Sequence, residues 1–227
     1  MENKADRGKA PSKACIELHY LPCVQYFSLF SLYDEVCIEA CEHYQKRSYR
    51  NRCHIGASSG MLRLSVPLAS GKHAQQPIRE VRISDHSNWR HTHWQSLRSA
   101  YGKTPFFEHY APLIQHLLFE PHEYLFDLSI ALLKWGLAEL GISDDRLTLS
   151  THFASTIQDG THDWRNRITP GQATPGNQPF EVRRYVQPFS HAYGFLPNLS
   201  IIDLLCCTGP EAPLYLNSCF QHPPAPE

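Results

Sequence analysis

The sequence predicts an α/β domain: a small, partly parallel sheet with a βαβ start and a β-hairpin, covered by a helical layer from the middle of the chain. Three observations predict it. Within residues 15–38 an alternating segment, a proline-led apolar helix pattern and a short apolar run follow one another, the order of a right-handed βαβ unit. Two further extended segments flank the turn Ala57-Ser58-Ser59-Gly60, as in a hairpin. From residue 87 to 140 apolar side chains then recur at helical spacing. A chain of 227 residues, 42% hydrophobic and 19% charged, is long enough for one domain with a core of its own.

Taken in order, residues 1–13 are charged and small without periodicity and are expected to form a disordered tail. A single domain over 14–218 follows, with a tail over 219–227. Cys15 to Tyr20 alternates as the first strand. Pro22 suits the first turn of a helix, whose period is carried by Val24, Phe27, Leu29, Phe30, Leu32 and Tyr33. Val36-Cys37-Ile38 reads as a buried strand. Cys53 to Ile55 and Met61 to Val66 form the hairpin, Gly71 to Pro77 is a polar loop, and Ile78 to Ile83 alternates as another strand. Ser87 or Asp85 is placed to cap a helix carrying Trp89, Trp94, Leu97 and Tyr101. A second helix runs from Pro105 to Phe119 with Phe106, Tyr110, Leu113 and Leu117 inward, and a third from His122 to Leu140, stopped by Gly141. Arg146 to Ser150 is extended, residues 159–179 form a long Gly- and Pro-rich loop, and Val182 to Val186 is short and extended. Helices over Ile201 to Cys207 and about Glu211 to Asn217 close the domain.

A net charge of −1 with a pI near 6.9 argues against a general polyanion or membrane-surface binder. No apolar run reaches the roughly 18 residues of a membrane span, nor does the polar start resemble a signal peptide. A cytoplasmic protein is expected, without nucleic-acid or membrane partners. None of the eight cysteines stands in a C-x-x-C pair, so they read as small buried hydrophobes in a reducing compartment and not as zinc ligands. No cofactor or metal site is predicted. His91-Thr92-His93 resembles a chelate, but on a helix the two side chains point about 200° apart.

The stretch Glu42 to Arg52 stands apart from these core-building segments. It carries His43, Lys46, Arg47, Arg50 and Arg52 among Tyr44, Tyr49, Gln45 and Asn51 with no aliphatic side chain, and it follows the second strand, where α/β sheets place their ligands. Lys46, Arg47, Arg50 and Arg52 are candidates to bind an anionic group, with Tyr44 and Asn51 adding selective hydrogen bonds. The competing reading is a basic loop neutralised by surface acids. Tyr20, in the turn after the first strand, and His91, which shares a helix face with Trp94, Arg98 and Tyr101, are candidate neighbours of the site. His19 and His43 are candidate general acid/bases, with a satisfied core histidine as the rival. Asn198 either caps the helix that follows it or meets the ligand.

Together these residues resemble the WbqC-like protein family of bacteria. The resemblance rests on Tyr20-Leu21-Pro22 with Tyr26-Phe27, Asp34-Glu35-Val36, and His43 through Arg52. It continues in Val81 to Ser84, Asn88-Trp89-Arg90 with His93-Trp94, Ser99-Ala100-Tyr101, Pro105 to Glu108 and Gly194 to Leu205, spanning about residues 15–218. Family members commonly carry Gln before the first Pro-containing turn and Gly before the Tyr-Phe pair, where this chain has Glu17 to His19 and Gln25. If that Gly admits a ligand to the backbone, Gln25 narrows the approach. The family takes its name from a gene in an O-antigen cluster, so the resemblance implies surface-polysaccharide or related biosynthesis, by transfer from a nucleotide-linked or phosphorylated sugar or a carrier thioester. A non-catalytic binding or assembly protein with an acidic partner is the alternative, and a metal hydrolase the third reading.

Overall fold

The structure, a computed structural model, describes residues 12–69, 76–157, 160–171, 180 and 183–219. The expected tails lie outside these, apart from their innermost residues, as do most of the polar loop at 71–77 and residues 172–179 of the long loop.

The fold is mixed α/β. Strands β1 (Lys13–Glu17), β2 (Glu35–Glu39), β5 (Leu147–Leu149) and β6 (Thr161–Asp163) form a four-stranded sheet in the order β5-β2-β1-β6. Every pairing in it is parallel. Helix α1 (Val24–Leu32) makes the crossover from β1 to β2, and β3 (Arg52–Ala57) with β4 (Gly60–Ser65) forms the separate hairpin. The mid-chain layer is α2 (Trp89–Tyr101), α3 (Phe107–Phe119) and α4 (Leu125–Glu139). The short α5 (Ser190–Tyr193), then α6 (Ile201–Thr208) and α7 (Ala212–Ser218), complete the chain.

The pleat gives the parallel sheet two unlike faces. Ala14, Ile16, Val36 and Ile38 join the core with Phe27 and Phe30 of α1. Cys15, Glu17, Cys37 and Glu39 alternate onto the other side, which is polar although parallel sheets ordinarily bury two apolar faces. Behind the core, α4 approaches α1 closely at Gly136, where an added Cβ would stand 2.5 Å from Phe27 Cζ. A helical glycine gives up propensity, and here it makes room for a buried ring.

Several elements differ from the sequence expectation. The stretch 159–179 contains β6, which pairs with β1 and completes the sheet. Ile78–Glu80 is a 3₁₀ turn and not the start of a strand; only single bridges, Leu68 with Ile83 and Arg82 with Tyr124, follow. Helix α4 begins three residues late, because residues 123–125 are held extended by hydrogen bonds from Ile83 N–H to Glu123 O and from Leu125 N–H to Val81 O, both 2.9 Å. In α3 the buried positions are Phe107, Tyr110, Ile114 and Leu118, while Leu113 is 45% exposed. With aliphatics on both sides of Pro112, the apolar pattern does not fix which row faces inward. Asn88 occupies the cap of α2 and makes no side-chain cap bond, in place of Ser87 or Asp85.

Candidate functional site

From β1 the chain crosses to β2 on one side, and β6 returns to the other side of β1. The carboxyl end of β1 is therefore a topological switch point, where α/β sheets open a crevice. The chain leaves it through His19-Tyr20-Leu21-Pro22. Leu21 is fully buried with φ of 43°, a left-handed conformation that costs a bulky residue about 1–2 kcal/mol. The turn is held from outside: Tyr20 N–H donates to Tyr49 O at 3.0 Å and Tyr20 Oη meets His93 Nδ1 at 2.9 Å.

At this end of the sheet lies a buried charge network. Ser48 opens a 3₁₀ turn over Tyr49–Asn51 and accepts from the Arg50 N–H, which turns Arg50 inward until it is 1% exposed. Its Nε and Nη2 donate to the two oxygens of Glu42 at 2.7 and 2.5 Å, and Nη2 also to Asn166 Oδ1 at 3.0 Å. Glu17, the last residue of β1, stands 3.8 Å from Arg50 Nη1. Its Oε2 accepts the Asn166 N–H at 2.8 Å and its Oε1 meets His19 Nε2 at 2.9 Å. A carboxylate only accepts, so Nε2 carries the proton; Nδ1 of His19 and Nη1 of Arg50 are enclosed without a hydrogen-bond partner. Burial pushes Glu17 up, but the hydrogen bond from His19, the charge of Arg50 and the Asn166 N–H outweigh it and hold the carboxylate ionised. Burial lowers His19 against the pull of Glu17, leaving a neutral imidazole; it also raises Glu42 against the pull of Arg50. Next to this network, Arg165 grips Asp163 through two bonds of 3.0 and 2.8 Å and reaches Glu39 at 3.2 Å.

The remaining cations of the stretch lie elsewhere. Lys46, Arg47 and Arg52, with Tyr44, Asn51 and Ser65 to Leu68 along the end of β4, line an open groove of about 520 Å³. Among the described residues no acid lines it, and none of these three cations forms an ion pair. Arg47 holds φ of 62°, in a tight turn closed by Ser48 Oγ donating to Gln45 O at 2.7 Å. Asn51 is anchored through Nδ2 to Val66 O at 2.9 Å, while its Oδ1 and the Nε of Arg52 are enclosed without a hydrogen-bond partner.

The other candidate residues divide in the same way. His43 is exposed, bridging to Pro77 through its backbone. His19 is fully enclosed and reaches no surface ligand in this conformation. Tyr20 is buried against His93, so the histidine of α2 that matters to this region is His93, 3% exposed, while His91 stands on the exposed side and lines no part of the groove. Asn198 caps a helix other than the one after it. Its Oδ1 accepts the Gln25 N–H in the first turn of α1 at 2.9 Å and its Nδ2 donates to Gln25 Oε1 at 3.1 Å. The departure at Gln25 and the asparagine thus occupy each other. Sequence reasoning missed Glu17, Glu42, Asn166 and His93. Glu42 was visible as the acid that opens the basic stretch and Glu17 as an acid inside the expected first strand, and nothing in one dimension pointed to Asn166, 116 positions from Arg50.

Among the described residues, no three His, Cys, Asp or Glu side chains are grouped to hold a metal ion, and no helix is long and apolar enough to cross a membrane. The family model described as the WbqC-like protein family matches residues 18–170, from the end of β1 to just beyond β6. The chain is also 30% identical over 231 residues to Rv1507c, an uncharacterized protein of Mycobacterium tuberculosis (strain ATCC 25618 / H37Rv), covering 92% of this chain and 98% of that one. No solved structure matches.

Proposed function

The chain belongs to the WbqC-like protein family, and from that premise we propose that the groove of Lys46, Arg47, Arg52, Tyr44 and Asn51 binds an anionic small molecule. The ligand class is a phosphorylated or nucleotide-linked sugar, or the phosphate of a carrier thioester. The protein then acts as a transferase in surface-polysaccharide or related biosynthesis. The observation that carries the binding reading is the contrast within one stretch: Arg50 is neutralised by carboxylates, whereas three neighbouring cations share a groove in which no described residue is an acid. Cations left together repel, and an anion between them relieves that repulsion while accepting charge-assisted hydrogen bonds. The biosynthetic setting comes from the family alone. For the proton in a transfer step we assign His43, exposed beside Tyr44.

A second reading, a binding or assembly protein for an acidic partner, is favoured by how open the groove is along the surface.

Calorimetry with inorganic phosphate and a nucleoside diphosphate tests the proposal. The wild type is expected to bind, and Arg52→Ala to weaken binding by about tenfold or more, since a hydrogen bond to a charged group contributes roughly 1.5–3 kcal/mol. The unfolding midpoint should stay within a degree or two. Equal binding by wild type and variant would sink the groove as the site. Binding of an acidic peptide but of neither small anion would favour the second reading.

A further inference from the structure

The polar face of the parallel sheet holds a feature that neither the groove nor the charge network uses. Register places Asp163, Cys15, Cys37 and Thr148 side by side across β6, β1, β2 and β5. The two thiols are thus direct neighbours on adjacent strands. From the paired positions we infer that Cys15 and Cys37 form a reversible dithiol–disulfide pair, closed by low-molecular-weight disulfides.

Directly paired strand residues stand about 4.8 Å apart, inside the range of Cα separations a disulfide spans. Because the side chains stand parallel, off the pleat, the bridge requires a small strand shift. A bond under such strain has a more oxidising potential and is readily reduced again. The two sulfurs differ in access: Cys37 is half-buried and Cys15 is 5% exposed. Cys37 is therefore the attacking thiol and Cys15 the resolving one. Interaction with the neighbouring Cys15 thiol, against burial and with the Thr148 hydroxyl nearby, brings the Cys37 thiol down to about 7. Interaction with the Cys37 thiol, together with burial, holds Cys15 above the ordinary thiol range. The groups facing the pair are Lys13 and Glu35, ion-paired at 2.7 Å, on one side and Glu39, Asp163 and Arg165 on the other.

The chemistry balances without a metal or flavin. The Cys37 thiolate attacks one sulfur of an external disulfide, forming a mixed disulfide and releasing a thiolate. Cys15 then attacks the Cys37 sulfur and loses its proton to the second departing thiolate. One external disulfide is reduced to two thiols as the protein pair is oxidised.

Incubation of the full chain with glutathione disulfide, alkylation and peptide mass spectrometry test this. A dithiothreitol-reversible link between the Cys15 and Cys37 peptides is expected in the wild type and in Cys41→Ser, whose missing thiol otherwise bonds Ser150 O. Cys15→Ser should trap glutathione on Cys37, and Cys37→Ser should leave Cys15 unmodified. Circular dichroism establishes that each variant is folded, with Cys15→Ala in reserve. Wild-type protein in which Cys37 stays free, or keeps glutathione without linking to Cys15, overturns the inference.

Discussion

Arg50→Ala is expected to destabilise the protein by about 3–5 kcal/mol, the usual cost of removing one member of a buried ion pair. The reason lies in what remains. Glu42 and Glu17 are 3% and 1% exposed, and with the guanidinium gone two carboxylates share a dry site with only the Asn166 N–H and His19 for company. At roughly 2–4 °C per kcal/mol for a chain of this size, the thermal midpoint should fall by about 10 °C. Arg52→Ala, from the same stretch, should leave it nearly unchanged. A double variant, Arg50→Met with Glu42→Leu, should recover part of the loss, because it removes a buried charge along with its partner. Should Arg50→Ala instead keep the wild-type midpoint and lose phosphate binding, Arg50 would face the ligand and the division of the stretch drawn above would be wrong.

The second large effect is on stability as pH falls. His93 is buried against Trp89 and Tyr20, and burial holds it at about 4, against 6.5 for a free imidazole. His19 is displaced in the same direction. For a histidine with a depressed folded-state value the sign is fixed: stability is complete above pH 6.5 and is lost as pH falls, because the unfolded chain takes up protons that the folded one refuses. For His93 the loss approaches about 3 kcal/mol near pH 4. Glu17, held low in the folded state, extends the loss below its ordinary range near 4.5. Glu42 and Asp203, raised by burial, work in the opposite direction and soften it. Urea titrations from pH 7.5 to 4 would measure this. His93→Gln should flatten the slope by close to one proton between pH 6.5 and 4.5, and an unchanged slope in that variant would show that His93 is not the group responsible.

How much of this was legible in the sequence depended on whether the signal was local. The βαβ start and the hairpin are written in nearby residues: Pro22 ahead of a helical period, alternation on either side of Gly60, whose φ of 96° suits the turn. Strand β6 is three residues, Thr161-His162-Asp163, inside a run rich in Gly, Pro and Asn. It has no periodicity of its own and exists because β1 offers an open edge. The basic stretch was legible as unusual and not as two things. Lys46, Arg47, Arg50 and Arg52 are equivalent as letters, and only the 3₁₀ turn at Tyr49–Asn51, with Glu17 and Glu42 brought beneath it, divides the inward arginine from the outward cations. His91 was chosen over His93 as the neighbour of the site for a related reason. Helical spacing ranks faces by apolarity, and a histidine that bonds a buried tyrosine does not register on that scale.

The placement of β6 also bears on how the chain tolerates length. Docking β6 on β1 closes a loop whose ends, at Glu17 and Asn166, are 149 positions apart. The entropy of closing such a loop grows only with the logarithm of its length, so even doubling it costs about 0.6 kcal/mol. Residues added to the surface turns of that loop therefore weigh little on the closure. A shift of one residue in β6 weighs heavily, since it carries His162 off the apolar face and parts Asn166 from Glu17. The fold is permissive about the length of its path and strict about where that path lands.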